Sequence, residues 1–376
     1  MSDVSRPYIG GQAVLEGVMM RAPHSFAIVV RRKDGSLVVR EREVVEETVS
    51  YGKVPFLRGL RSLVESLRLG GEALRFSAEH MEKDMLLEEE AAKKKAAAPA
   101  ALNVLSAFGL SLFSMATAMD GSDDAIVTAD ANKKETSKGM MVMLVVAVVF
   151  LIALPQAAAA GVNKLAHWDL PVQSPGFQAL TGAFKLSIVL GYLFMIRRVN
   201  EIRRVFQYHG AEHKTISTYE ANEDLVVANA RPKTTLHPRC GTTFLVMVTL
   251  MSVLLFTAIG GFLPRIATGN AVLDNVCFFL EKLPFLPLLV GFTFEIQRLF
   301  ARYCTKGPLR ALLWPGFLVQ KITTIEPDDD QLEVALASLR ATLFREEGVE
   351  KGEAKDDVTF PSYEAMAAAE RLRVAA

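Results

Sequence analysis

Four stretches of the chain are apolar over lengths that the surface of a soluble domain would interrupt. Gly139–Asn163 and Cys240–Pro264 contain no charged residue, and each exceeds the roughly 20 residues a helix needs to cross a bilayer. Phe177–Ile196 carries one charge, Lys185. Leu283–Phe300 is shorter and includes Glu295, Pro284 and Pro287. The pattern predicts four transmembrane helices, with a buried helix of a large soluble protein as the alternative for each run. A fifth uncharged run, Ala96–Met119, is rich in Ala and Ser and predicts an interfacial or half-inserted helix.

Outside these runs the periodicity changes. "FAIVVRRKDGSLVVREREV" holds two β-rich runs joined by Asp34-Gly35, a strong hairpin signal. The glycine-rich "YIGGQAVLEGVMMRAP" precedes it. Leu60, Leu63, Leu67, Leu74 and Phe76 recur at roughly helical spacing, predicting an amphipathic helix on the membrane or on the small sheet. "IEPDDDQLEVALASLRATLFREE" puts aspartates ahead of an apolar-periodic run, a helix-start signal. The fold class is thus a mainly α integral membrane protein, with a small N-terminal β-containing cytoplasmic domain. Five regions follow: 1–95, hairpin and amphipathic helix; 96–138, interfacial helix and polar linker; 139–310, four-helix membrane domain; 311–347, interfacial segment and helix; 348–376, a disordered tail.

Charge orients this arrangement. Lys+Arg equals Asp+Glu, 42 each, so nothing marks a nucleic-acid binder. The loop 197–239 concentrates Arg197, Arg198, Arg203, Arg204, Lys214, Arg231, Lys233 and Arg239, whereas 164–176 has one Lys and 265–282 only Arg265 and Lys282. Because basic loops stay in the cytoplasm, the loop and both termini are expected there. The N-terminus has no apolar h-region of a signal peptide. Three cysteines are too few and too scattered for a disulfide framework.

The candidate chemistry lies on the basic loop. "YHGAEHKTI" places His209 and His213 four residues apart with Glu212 between them, and at that spacing two imidazoles share one helical face. The order H-x-x-E-H occurs in zinc peptidases, where histidines hold the metal and a glutamate activates water. Gly210 weakens the helix. His237 and Cys240 follow at the mouth of the third apolar run, at a spacing that suits two ligands on a tight turn. Glu295, inside the fourth run, is a second candidate catalytic carboxylate beside Glu212. Three readings stay open: a closed structural Zn²⁺ clip of His209, His213, His237 and Cys240; an open catalytic site with Glu212 as base; or no metal at all.

Together "GGQAVLEGVMMR", "FQYHGAEHKTI", "HPRCGTTF" and "PGFLVQKITTIEPDDDQLEVAL" resemble the signatures of the YqhQ-like family, over roughly residues 6–120 and 139–342. That resemblance implies a bacterial multi-pass protein of the cytoplasmic membrane, built around a domain of unknown function and described as a predicted metal-dependent enzyme. It implies roles for Gln12, Glu16, His209, Glu212, His213, His237 and Cys240. The segments 120–138 and beyond Gly348 depart from it. The function expected is a metal-dependent, hydrolytic membrane enzyme acting on a protein or lipid substrate, or else a membrane scaffold or biogenesis factor whose metal only locks the loop.

Overall fold

The computed structural model describes residues 6–44, 57–93, 153–264, 268–304, 307–347 and 357–369. The N-terminal residues form an antiparallel meander, β1 (Gly10–Val14), β2 (Gly17–Arg21), β3 (Ser25–Arg31) and β4 (Leu37–Glu43), with strands neighbouring in chain order. The Asp34-Gly35 hairpin forms as expected, pairing Arg31 with Leu37. The glycine-rich segment before it is a second hairpin, with Val14 opposite Gly17. Its turn holds Glu16 at φ 52, a left-handed conformation that non-glycine residues seldom adopt.

Both faces of this sheet are covered. Helix α1 (Leu57–Lys93) lays Leu69, Ala73 and Phe76 against Val14, Met19, Phe26, Ile28, Val30 and Val38. Of the stripe expected, Phe76 is buried on the sheet, Leu74 packs partly buried against the same core, and Leu67 is half-buried. The helix covers the sheet, each fully buried Leu or Phe contributing about 1.5–3 kcal/mol. A buried ion pair, Arg21 to Glu65 at 2.6 Å, and a part-buried one, Arg32 to Asp84, fasten it.

On the opposite face, Val18, Met20, Ala27, Val29, Leu37 and Val39 join one core with two later helices, α4 (Asn200–Glu220) and α10 (Asp329–Glu346). The aspartate run starts α10 as its sequence predicts. Asp328 accepts from the backbone of Gln331 and the Gln331 side chain reaches back, a complete capping box. Ser338 and Thr342 of α10 donate to the carbonyls of Ala27 and Met20, pinning the helix to the strands.

The tail differs from expectation. Within 348–376, residues Val358–Phe360 form β5 on the free edge of β4, and Tyr363–Ala368 form a short helix, α11. Three apolar-edge residues of β4 gain ladder partners this way, and Arg40 pairs with Asp357 at 2.8 Å, which outweighs the polar composition of the segment.

The apolar half contains α2 (Leu154–Leu165), α3 (Pro175–Ile196), α6 (Gly241–Ile259), α7 (Ala271–Lys282) and α8 (Leu286–Tyr303), with a short helix α5 (Val227–Ala230) just before α6. Among the described residues, three helical stretches are long and apolar enough to cross a membrane: Pro175–Ile196, Gly241–Ile259 and Val272–Phe300. The last begins well before the expected Leu283, because α7 runs into α8 through a 3₁₀ turn at Leu283–Phe285. Most of the expected span Gly139–Asn163, and all of the interfacial helix at Ala96–Met119, lie outside the described residues. Helix α9 (Trp314–Thr323) packs on α6, Gly316 facing Thr243.

Candidate metal centre

Helix α4 follows α3 directly and buries Ile202, Val205 and Phe206 against the sheet core. The next turn carries His209, Glu212 and His213, in a helix as their spacing predicts. Gly210, read from sequence as a weak point, has a packing purpose. A Cβ there would sit 2.2 Å from the Ile325 carbonyl oxygen and 3.3 Å from Thr235, so only glycine lets these two segments close over the helix. Those segments supply the backbone that orients both histidines.

A carbonyl oxygen only accepts, so the ring nitrogen facing one must carry the proton. His209 donates Nδ1–H to the Thr323 carbonyl at 2.9 Å, and His213 donates Nδ1–H to the Thr235 carbonyl at 2.5 Å. Each Nε2 is consequently a bare lone pair. His209 Nε2 lies 3.1 Å from Cys240 Sγ, while His213 Nε2 is buried with no hydrogen-bond partner. The rings stand edge to face, centroids 4.4 Å apart. Burial drives the His209 pKa down to about 4; burial, with His209 and His237 adding to it, drives His213 well below its ordinary value. Both are neutral imidazoles at physiological pH, the form that binds metal.

Cys240 caps the N-terminus of α6, its sulfur accepting from Thr242 N–H at 3.4 Å and lying 3.1 Å from the Thr242 hydroxyl. Amide N–H and helix dipole both favour negative charge on the sulfur. The ligand atoms of His209, His213 and Cys240 all lie within 4.8 Å of one another, and all three residues are buried. Zinc bond lengths set donors of a tetrahedral site about 3.3–3.6 Å apart, so modest rotamer adjustment suits the set to Zn²⁺. The donors fit in kind as well: two neutral imidazoles and a thiol, each imidazole oriented through its other nitrogen by a carbonyl.

Glu212, 4% exposed, lines the same narrow recess together with Gly11, Ile216, His237 and Gly241. Gly11 of β1 presses on its carboxyl group, where an added Cβ would approach Glu212 Cγ at 2.8 Å and Oε1 at 2.9 Å. The N-terminal hairpin thus reaches the site through Gly11. Gln12 is buried beside the recess without lining it. Glu16 clamps Arg204 and accepts from the Tyr208 hydroxyl at 3.2 Å, tying the hairpin turn to α4. Arg21 serves Glu65.

His237 stands at the edge. Its ring centroid is 5.7 Å from that of His213, but Nε2 faces Glu220 at 3.4 Å, and Glu220 also accepts from Arg239. It falls outside the group whose donors lie within 4.8 Å. Gln320 of α9 holds the His237 main chain at both ends, accepting from its N–H at 2.8 Å and donating to its carbonyl at 2.7 Å. Glu295 does not line the recess. The residues that sequence reasoning missed are the backbone carbonyls of Thr235 and Thr323, Gln320 and Gly11. The first two act through atoms every residue possesses, whereas Gln320 lies in the quoted "PGFLVQKITT" signature and Gly11 in "GGQAVLEG".

Fold and site define a mostly helical protein, three of whose described helical stretches are long and apolar enough to cross a membrane, with a buried His/His/Cys cluster at the N-terminus of one of them. The chain belongs to a family described as "Protein of unknown function (DUF1385)", whose model matches residues 54–345. It is 29% identical over 343 residues to "Uncharacterized protein YqhQ" of Bacillus subtilis (strain 168), spanning 90% of this chain and 92% of that protein. No solved structure matches.

Proposed function

We propose that this protein is a metal-dependent, hydrolytic membrane enzyme, with its site at the cytoplasmic face of a bacterial cytoplasmic membrane. The observation that carries this reading is the bare Nε2 of His213 converging with His209 Nε2 and Cys240 Sγ, next to the Glu212 carboxylate. Three protein ligands leave a coordination position open, the mark of catalytic rather than structural zinc. The turn of His237 toward Glu220 favours this over a closed four-ligand clip. When bound, the metal supplies Lewis acidity that polarises a substrate carbonyl or ester and acidifies water.

The chain's own residues supply the rest. Glu212 takes a proton from the attacking water at its carboxylate and returns it to the leaving group. The Thr235 and Thr323 carbonyls fix the imidazole tautomers, and Gly11 keeps the Glu212 carboxyl against the recess. Four spans with both termini cytoplasmic agree with the basic loop 197–239 and place the recess at the inner interface, within reach of a lipid or peptide substrate. The test is turnover of peptides and lipid esters by purified protein in bilayer discs. Glu212→Gln should keep its metal and lose activity by several orders of magnitude, and full activity in that variant removes Glu212 as base.

A second reading has its own observation. All three ligands are at most 5% exposed, and buried zinc in such a setting locks structure. In a membrane scaffold or biogenesis factor of that kind, Glu212→Gln is mild, while Cys240→Ala both releases metal and loosens the loop.

A further inference from the structure

A second polar cluster lies far from the recess, among the apolar helices. Lys282 ends α7 and is 3% exposed; Lys185, near the middle of α3, is partly buried. Both line one cavity with Gln178 and Ser252, of about 30 Å³, room for one or two water-sized atoms. The polar side chains around the lysines are fixed in one sense. Gln156 donates its amide to Asn275 O at 2.7 Å and Gln178 donates to Val172 O at 2.6 Å, so both amide oxygens turn to Lys282 Nζ, at 3.0 and 3.2 Å. Ser252 donates to Thr249 O, which leaves its oxygen to accept from Lys185 Nζ at 3.0 Å.

The balance of donors is therefore one-sided. Each ammonium has three N–H groups; Lys282 places two on the amide oxygens and Lys185 one on Ser252. The hydroxyl of Thr181, also on the wall, is spent on Phe177 O. Phe278 and Phe256 flank Lys282 at 4.4 and 5.2 Å from their ring centroids, soft support for a cation without neutralising it. Among the described residues no carboxylate pairs with either lysine, and neither Glu281 nor Glu295 lines the cavity. One buried and one half-buried ammonium group without a carboxylate partner among the described residues are costly in an apolar surround. A cation is repelled from such a place, and a second acceptor-rich solute finds the lysine N–H groups as its donors.

We propose that this cavity is a binding site for a small inorganic anion of halide size, held by Lys185 and Lys282. Leu286, just past the 3₁₀ turn at Leu283–Phe285, is on its wall.

The test uses the purified full chain in bilayer discs made from zwitterionic lipid. Thermal unfolding is compared in chloride, bromide and gluconate at one ionic strength, alongside ³⁵Cl line broadening competed by bromide. Chloride and bromide should raise Tm by several degrees over gluconate, and the broadening should fall away in Lys282→Gln and Lys185→Gln. The wild-type broadening and its bromide competition stand alone if either variant fails to fold. Equal Tm in all three salts with no competed broadening overturns the site. So does a shift kept in full by both folded variants, or one that appears only when anionic lipid is added.

Discussion

The two buried polar clusters are electrical opposites. In the recess between α4 and α6, backbone carbonyls consume the imidazole N–H groups and leave lone pairs converging. Between the apolar helices, backbone carbonyls consume the amide and hydroxyl donors and leave lysine N–H groups converging. The same device, an outer ring of main-chain acceptors, produces a set of acceptors in one place and of donors in the other. What decides is which side-chain atom remains: a neutral imidazole offers its second nitrogen, an ammonium offers only hydrogens. The first arrangement suits a metal cation and the second an anion, so each should respond to its own ion and ignore the other's.

The largest expected effect is on metal affinity. Removing a ligand by His213→Ala or Cys240→Ala should weaken zinc binding on the order of 10³-fold, since each ligand of a structural zinc shares roughly 3–4 kcal/mol of the binding energy. Competition with a chromophoric chelator measures this, and halide should leave the wild-type value unchanged. An unaltered zinc affinity in either variant breaks the contrast on the recess side.

Next is the pH dependence of the metal-free protein. His209 binds its proton more weakly when folded, near 4, than when unfolded, near 6.5, so the unfolded chain holds more protons between those values. Stability is full above about pH 6.5 and lost as pH falls toward 4, by roughly 3 kcal/mol from His209, with His213 adding in the same direction. Denaturant midpoints of wild type and His209→Gln across that window check it; the variant should show the shallower slope.

Packing comes third. Gly210→Ala forces a methyl onto the Ile325 carbonyl and should cost about 1–3 kcal/mol, read from denaturant midpoints, with zinc affinity falling because Thr235 is displaced with it. The smallest effect belongs to Thr242→Val. This removes the hydroxyl beside Cys240 Sγ but not the amide, so zinc affinity should drop about 10-fold, the lower end for an outer-shell partner. In the chelator assay this variant should fall between wild type and Cys240→Ala.

Much of this is legible in the sequence. Asp34-Gly35 predicts its hairpin, the aspartate run 328–330 predicts the start of α10, and the His209/His213 spacing predicts one helical face. His237 and Cys240 were placed correctly at the mouth of an apolar helix, yet their parting was not visible. That depends on Glu220, one helical turn past Ser217, capturing the imidazole together with Arg239. Gly210 read as a defect because propensity counts only the local backbone, whereas Ile325 approaches from 115 positions away in sequence. The tail read as disordered because Val358–Phe360 gains order only from the edge of β4. Glu16, for which the resemblance implies a role, holds the hairpin to Arg204 of α4, a long-range ion pair that no spacing reveals.

The most direct test is metal content per chain, by elemental analysis of freshly purified wild type, His213→Ala and Cys240→Ala. One zinc or comparable divalent ion per wild-type chain, absent from both variants, is the result predicted. A wild type without stoichiometric metal, or variants that keep it, would contradict the His209–His213–Cys240 centre and with it the enzymatic reading.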